Sequence, residues 1–192
     1  MPNVFLVSDT HFGHKNICKF IGPDGVTPLR PWDDVDEMDE ALVKNWNEVV
    51  RPSDKVYHLG DVAINKKHLS TVGRLNGDKV LVKGNHDRFK LEEYTPYFSD
   101  IKGCHEMKGM VLTHVPIHPD GLNRFPVNVH GHLHAYRVKM HYEEIDYRYF
   151  NVSVEQINYR PISLDELRKR IAEQRELFMS NFEGYGNHVV VD

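Results

Sequence analysis

Short apolar runs alternate along this chain with short polar clusters, and the clusters fall where the runs end. Residues 3–7, 55–59, 79–83, 109–115 and 127–130 are rich in valine, leucine and aromatic side chains. Runs of that length and composition predict buried strands. A different pattern separates the first two. Over 33–50, Met38, Leu42, Trp46, Val49 and Val50 recur at three- and four-residue steps, which predicts a helix with one apolar stripe. Asp33 or Asp34 can cap it, Asp36 and Glu37 suit its positive end, and Arg51-Pro52-Ser53-Asp54 stops it.

The rest of the chain divides in the same way. Residues 65–75 predict a short helix closed by Asn76-Gly77-Asp78. Residues 89–107 read as a short helix followed by an edge strand. Stretches 136–142 and 147–154 alternate like strands of the far half of the sheet. Ser163-Leu-Asp-Glu166 is a capping-box pattern. It opens a last helix with a stripe of Leu164, Leu167, Ile171 and Phe178, and the tail 181–192 reads as loosely held. Proline and glycine make 21–34 and 116–126 loops. Trp32 is expected to pack the first of these down. His58, His130 and His141 are expected to be structural.

Composition narrows the class. With 192 residues, 40% of them hydrophobic, and no repeat or long linker, a single domain over 1–192 is expected. A net charge of −4 does not indicate a nucleic-acid partner. Cys18 and Cys104 are too few for a disulfide framework or a cysteine-based zinc site. There is no basic, apolar leader and no run near the ~20 residues of a membrane span. A cytoplasmic protein without a membrane partner is the expectation. Thirteen histidines are many for this length, and histidine is a common metal ligand.

The polar clusters carry the chemistry. Val80–Asp87, Val-Leu-Val-Lys-Gly-Asn-His-Asp, presents Asn85 and His86 at a strand's C-terminal end. Asp9-Thr-His11, Gly60-Asp61, Thr113-His114 and Gly131-His132-Leu-His134 close the other runs. On an extended chain, side chains two positions apart point to one side, so Asp9 and His11 can bind one metal together, and His132 and His134 present two imidazoles on one side. Asp61 has an oxygen for each of two ions, and Gly60 lets the backbone turn closely beside it. A set of oxygen and imidazole ligands without thiolate suits Mn²⁺, iron or Zn²⁺ better than Mg²⁺ or Ca²⁺ alone.

In this order the five clusters resemble the motifs of the calcineurin-like metallophosphoesterases, over residues 4–134. They are most similar to small members beginning Ser-Asp-Thr-His-Phe-Gly-His. The resemblance implies an α/β fold, a two-sheet β-sandwich flanked by helices in four αββα layers. It implies two divalent ions, Mn²⁺ favoured, with iron, Zn²⁺ or Ni²⁺ as alternatives. One ion would take Asp9, His11 and His134, the other Asn85, His114 and His132, with Asp61 bridging. It further implies in-line attack by a metal-bridging hydroxide on a small or nucleotide-like phosphate ester, the ions roughly 3.5–4 Å apart. His86, beside a ligand without being one, would stabilise the transition state or protonate the leaving oxygen, worth roughly 10²–10⁴-fold. Asp87 or another carboxylate would orient it. His14, Arg30, Arg88 and Arg124 are weaker candidates for substrate contact.

Two departures refine this. Gly60-Asp61-Val-Ala-Ile64-Asn65-Lys66 lacks the second Asp and the Arg of the Ser/Thr protein phosphatase branch. Asp87, where that branch has Glu, also points to the compact phosphodiesterase branch. The C-terminal third matches only in general character. A phosphomonoesterase, a nuclease acting on ends or single strands, and a non-catalytic protein-binding scaffold are the alternatives. The intact ligand set and His86 weigh against the scaffold.

Overall fold

The computed structural model describes residues 2–140 and 144–185. Val4–Val7 (β1), Lys55–His58 (β2), Asp78–Val82 (β3) and Asp100–Lys102 (β4) form a parallel array in the order β4-β3-β2-β1. Ile162–Ser163 (β9) adds an antiparallel strand beside β1. The inner strands are covered on both faces, which is why they read as unbroken apolar runs: Leu6, Val56, Leu81 and Val82 have no exposed surface.

Val35–Val49 (α1) links β1 to β2. The Asp34 carboxylate accepts from the amides of Asp36 and Glu37, capping it. Met38, Leu42, Val43 and Trp46 bury its stripe, each contributing about 1.5–3 kcal/mol of apolar transfer. The Trp46 indole keeps its hydrogen bond by donating to the Asn76 carbonyl at 3.0 Å. Lys66–Leu69 (α2) continues into a 3₁₀ turn, Ser70–Arg74, and Leu91–Tyr94 (α3) is a single turn.

A second sheet follows. His105–Met107 (β5), Met110–Leu112 (β6), Val127–His130 (β7) and Tyr149–Asn151 (β8) pair in chain order. The β5–β6 pair is antiparallel and the others parallel. Phe5, Val56 and Val82 from the first sheet share one core with Leu112, Val127 and Val129 from the second. The protein is therefore α/β, with two mixed sheets and flanking helices. No helix among the described residues is long and apolar enough to cross a membrane.

Leu164–Tyr185 (α4) closes the fold. The Ser163 hydroxyl accepts from the Glu166 amide at 3.2 Å, but the Glu166 carboxylate turns to Arg170 at 2.7 Å. Only half of the capping box forms.

The structure departs from expectation at three places. Residues 89–107 give two edge strands, β4 and β5, one on each sheet, because Gly103-Cys104 lets the chain cross between them. Residues 136–140 alternate like a strand but among the described residues make only an isolated bridge, Lys139 to Ile145. The carbonyls of His134 and Tyr136 are taken by the Asn151 side-chain amide at 2.9 Å, so the segment meets the sheet edge through a side chain. The tail expectation is cut short, since 181–185 continues α4. Residues 186–192 and His141 lie outside the described residues.

Candidate metal centre

Every polar cluster lies where a strand leaves its sheet, and the two sheets meet there. The Ser8 amide donates to the Val152 carbonyl at 2.9 Å and the Val154 amide to the Ser8 carbonyl at 3.1 Å, joining the end of β1 to the segment after β8. The amides of Asp9 and His11 donate to the carbonyls of Gly60 and Asp61, both at 3.0 Å, locking the first turn to the second.

The paired side chains do not converge as the extended-chain argument expects. Asp9, His11, Asp61, His132 and His134 have φ of 60°, 50°, 57°, 70° and 50°. Left-handed backbone at a residue with a Cβ costs about 1–2 kcal/mol. Here the turns, rather than a pleat, aim the side chains.

Asp87 pins two of these turns together. Its Oδ2 accepts from the amides of Asp61 and Gly84, each at 2.8 Å, and its Oδ1 from the Val62 amide at 3.0 Å. Both oxygens are committed to backbone, so Asp87 does not orient the His86 ring, contrary to expectation. Burial pushes its carboxyl pKa up, and the three amides pull it back. Gly84 permits the contact: a Cβ there would collide with the Asp61 carboxylate.

His58 and Thr10 secure the same region. The Thr10 hydroxyl donates to the Val62 carbonyl at 2.9 Å and lies 3.0 Å from His58 Nε2, while His58 Nδ1 accepts from the Gly60 amide at 3.2 Å. His58 is thus structural, as expected.

The side chains form two groups. In one, ligand atoms of Asp9, His11 and His134 lie within 4.8 Å of one another; in the other, those of Asp61, His114 and His132 do. Asp61 Oδ2 stands between them, 3.5 Å from His11 Nε2 and 3.4 Å from His114 Nε2. Asn85 Oδ1 is 2.9 Å from His114 Nε2. His114 Nδ1 donates to the Leu59 carbonyl at 2.8 Å, turning Nε2 towards this cluster.

Electrostatics follow from the crowding. Burial alone would raise the Asp9 carboxyl, but His11, His134 and His114 hold it well below the usual carboxylate range. Burial also opposes ionisation of Asp61, and His114 and His11 outweigh it. Burial pushes His11 and His132 down. His114 is drawn up against its burial by Asp61 and Asp9, and His134 by Glu155.

The residues fit a pair of divalent ions. Asp9 Oδ1 and both ring nitrogens of His11 are buried without a hydrogen-bond partner among the described residues. Such groups are rare, and each costs about 1–3 kcal/mol when left unpaired. A carboxylate oxygen and an imidazole lone pair facing one point are what a cation satisfies, and the donor set, without thiolate, suits Mn²⁺ or Zn²⁺. The two groups could each hold one ion.

Other candidates fall inside and outside the cluster. His86 is half-buried, its ring 5.5 Å from that of His11, and its amide donates to Asp61 Oδ1 at 2.8 Å. His14 is also half-buried, its ring 5.4 Å from His11. Burial, with His11 and Arg30 nearby, pushes its pKa down to about 4. The loop before it is held by Asp39, which accepts from the Gly13 amide at 3.0 Å. Exposed Arg88 folds its Nε onto the Asn85 carbonyl at 3.0 Å. Arg124 is exposed in the 3₁₀ turn Pro119–Arg124. Trp32 packs edge-on against Tyr159 at 4.8 Å, as expected.

Arg30 requires a correction. It has no exposed surface, so it is not a substrate contact. It lies behind the cluster, donating to the carbonyls of Asp9 and Thr10 and pairing with Glu155. Glu155, Ser153 and Asn151, which brace the turns from beneath, carry no motif and escaped the reading of the sequence. The only available signal was their place after an apolar run.

Comparison with known proteins gives the chain relatives. No family model matches it. The uncharacterized protein MJ1445 of Methanocaldococcus jannaschii is 38% identical over 184 residues, 89% of this chain and 92% of that protein. The chain belongs to the family of that protein. A solved structure, the protein of unknown function AQ665 from Aquifex aeolicus, shares 29% identity with it over 88% of this chain and 99% of that one, at a TM-score of 0.64. The family fold therefore recurs there. The Gene 66 protein of Mycobacterium phage L5 is 36% identical over 92 residues, 45% of this chain and 41% of the phage protein.

Proposed function

We propose that this chain is a binuclear metal-dependent phosphoesterase of the calcineurin-like type. Its favoured activity is that of a phosphodiesterase on a small or nucleotide-like ester. The two sheets would then be the inner layers of an αββα sandwich, 1–192 a single domain, and the cytoplasm its place of work. One observation carries the reading: Asp61 Oδ2 lies between a ring nitrogen of each ligand group, 3.5 Å from His11 and 3.4 Å from His114. A carboxylate in that position can serve two ions at once.

When bound, two divalent ions supply positive charge for a phosphate and lower the pKa of water enough to provide a nucleophile near neutral pH. Mn²⁺ is favoured. Asp9, His11 and His134 would hold one ion, and Asn85, His114 and His132 the other. His86 would act on the leaving oxygen, as proton donor or hydrogen-bond donor. The hydrogen bond from its amide to Asp61 Oδ1 fixes it relative to the shared ligand. His14, its ring 5.4 Å from that of His11, would be a substrate contact. The Asp87 clamp keeps the turns bearing Asp61 and His86 in one register, which matters because small misplacements cost large factors in rate.

The test is hydrolysis of bis-p-nitrophenyl phosphate against p-nitrophenyl phosphate, with Mn²⁺ added to metal-stripped protein and Asp61→Asn as control. Mn²⁺-dependent release from the diester, lost in the control, is the expected result. Preference for the monoester would make the protein a phosphatase. An absence of turnover with both, two ions being bound, would overturn the phosphodiesterase reading for this diester class.

A further inference from the structure

His134 is held from behind by a buried ion pair. Its Nδ1 lies 3.0 Å from Glu155 Oε1, an oxygen that also accepts from Nε and Nη2 of Arg30, both at 2.9 Å. Arg30 has no exposed surface and the Glu155 side chain 3%. The same guanidinium donates to the carbonyls of Asp9 and Thr10. One ion pair thus links the backbone that carries Asp9 to the carboxylate that orients His134, two members of one ligand group.

The chemistry is specific. An imidazole that donates one ring N–H to a carboxylate keeps its other nitrogen as a lone pair in a fixed direction, and the carboxylate makes that nitrogen a stronger ligand. The second group has no carboxylate in that role among the described residues. His114 Nδ1 finds only the Leu59 carbonyl. The His132 ring is half-exposed and makes no hydrogen bond among the described residues, and Asn85 is exposed. Buried ion pairs contribute little to stability because desolvation offsets their attraction. The pair's own attraction is therefore a poor reason for burying it, whereas fixing a ligand's geometry is a sufficient one.

We propose that Glu155, locked by Arg30, is the positioning residue that fixes His134 and makes Asp9–His11–His134 the tighter of two metal sites. This rests on the metal-centre reading above. Neither residue reaches a substrate; both act through His134 and the Asp9 turn.

The experiment is titration of the metal-stripped full chain with Mn²⁺ alone, followed by calorimetry, with thermal unfolding of the metal-free protein alongside. Three variants are compared with the wild type. Glu155→Gln keeps the shape and removes the charge. The double variant Arg30→Met/Glu155→Leu removes both charges, so no buried ion is left unpaired if the single change fails to fold. His132→Ala marks the other site. The expected wild-type isotherm has two steps. Glu155→Gln and the double variant should weaken the tighter step by about 10–100-fold and leave the weaker one unchanged. The double variant leaves the Asp9 and Thr10 carbonyls without their donor and should melt lower than wild type without metal, and His132→Ala should weaken only the weaker step. Wild-type affinities in both pair variants would overturn the proposal and leave the metal centre standing. A weakening of both steps alike in the pair variants, or removal of the tighter step by His132→Ala, would overturn it equally. A wild-type protein that binds no Mn²⁺ would instead overturn the metal-centre reading itself.

Discussion

The backbone amide of His132 donates to Asp9 Oδ2 at 2.9 Å, across 123 residues of sequence. A carboxylate of one ligand group thereby holds the turn that carries a ligand of the other. The Ser153 hydroxyl reaches the same oxygen at 2.9 Å, leaving Oδ1 to face the cluster. Gly131 permits the approach, since a Cβ there would collide with Ser8 Oγ and with Asp9 Oδ2.

The two sites should therefore be coupled through Asp9. An asparagine has one oxygen, so in Asp9→Asn either the metal-facing or the His132-facing position becomes an NH₂. Against the His132 amide that is donor facing donor, costing about 1–3 kcal/mol. Calorimetric titration with Mn²⁺ should show both binding steps weakened in Asp9→Asn and only one in His11→Ala. Loss of a single step in Asp9→Asn would mean that the remaining oxygen still holds the His132 amide and the second site does not feel the change.

Left-handed backbone at His132 has its own consequence. Glycine in an ordinary position is less stable than alanine by roughly 0.5–1 kcal/mol. At φ 70° the order should reverse, because only alanine carries the Cβ penalty. Metal-free His132→Gly should be more stable than His132→Ala by about 1 kcal/mol in urea unfolding. If alanine were equal or better, the turn would be relaxing once the imidazole is gone.

The sequence made the strand ends legible because each ligand cluster closes an apolar run, and the stripe from Met38 to Val50 made α1 legible through its period. The convergence of side chains was legible in outcome and not in cause. Asp and His tolerate positive φ better than most residues, but nothing in Asp9-Thr-His11 distinguishes a left-handed turn from a pleat. Arg30 was misread because a Gly/Pro-rich loop suggests exposure, and its burial depends on Glu155, 125 residues away. Glu155 itself is a lone carboxylate in the 3₁₀ turn Val154–Gln156, without a motif to mark it.

Gly84 should be irreplaceable for a reason that Gly103 does not share. A methyl group at 84 would meet the Asp61 carboxylate and its amide, while one at 103 would meet nothing within 4 Å. Gly84→Ala should cost about 1–3 kcal/mol by overpacking and displace Asp61, weakening both metal steps. Gly103→Ala should stay within about 0.5 kcal/mol of wild type. Urea unfolding and Mn²⁺ titration of the two variants check this together. Intact metal binding in Gly84→Ala would show that the Asp61 turn can shift without losing its ligand.

Acid should destabilise the metal-free protein through its buried neutral histidines. His58 has only 1% of its surface exposed. With the Thr10 hydrogen committed to the Val62 carbonyl, Nε2–H donates to Thr10 and Nδ1 accepts from the Gly60 amide, so the neutral ring is fully paired. A second proton would have to sit on Nδ1, facing that amide. Burial pushes the His58 pKa from 6.5 down to about 3, and that of His130 down to about 4. Above pH 6.5 neither the folded nor the unfolded chain protonates these rings, and no stability is lost. Below it the unfolded chain takes up protons that the folded one refuses. Stability then falls by about 1.4 kcal/mol per pH unit for each such ring, down to pH 3 for His58 and to pH 4 for His130. His58→Gln should unfold in urea with a shallower dependence on pH between 6.5 and 4, by about one proton's worth. An unchanged slope would remove His58 from the account and leave the acid sensitivity to His130 and the other rings that burial keeps neutral.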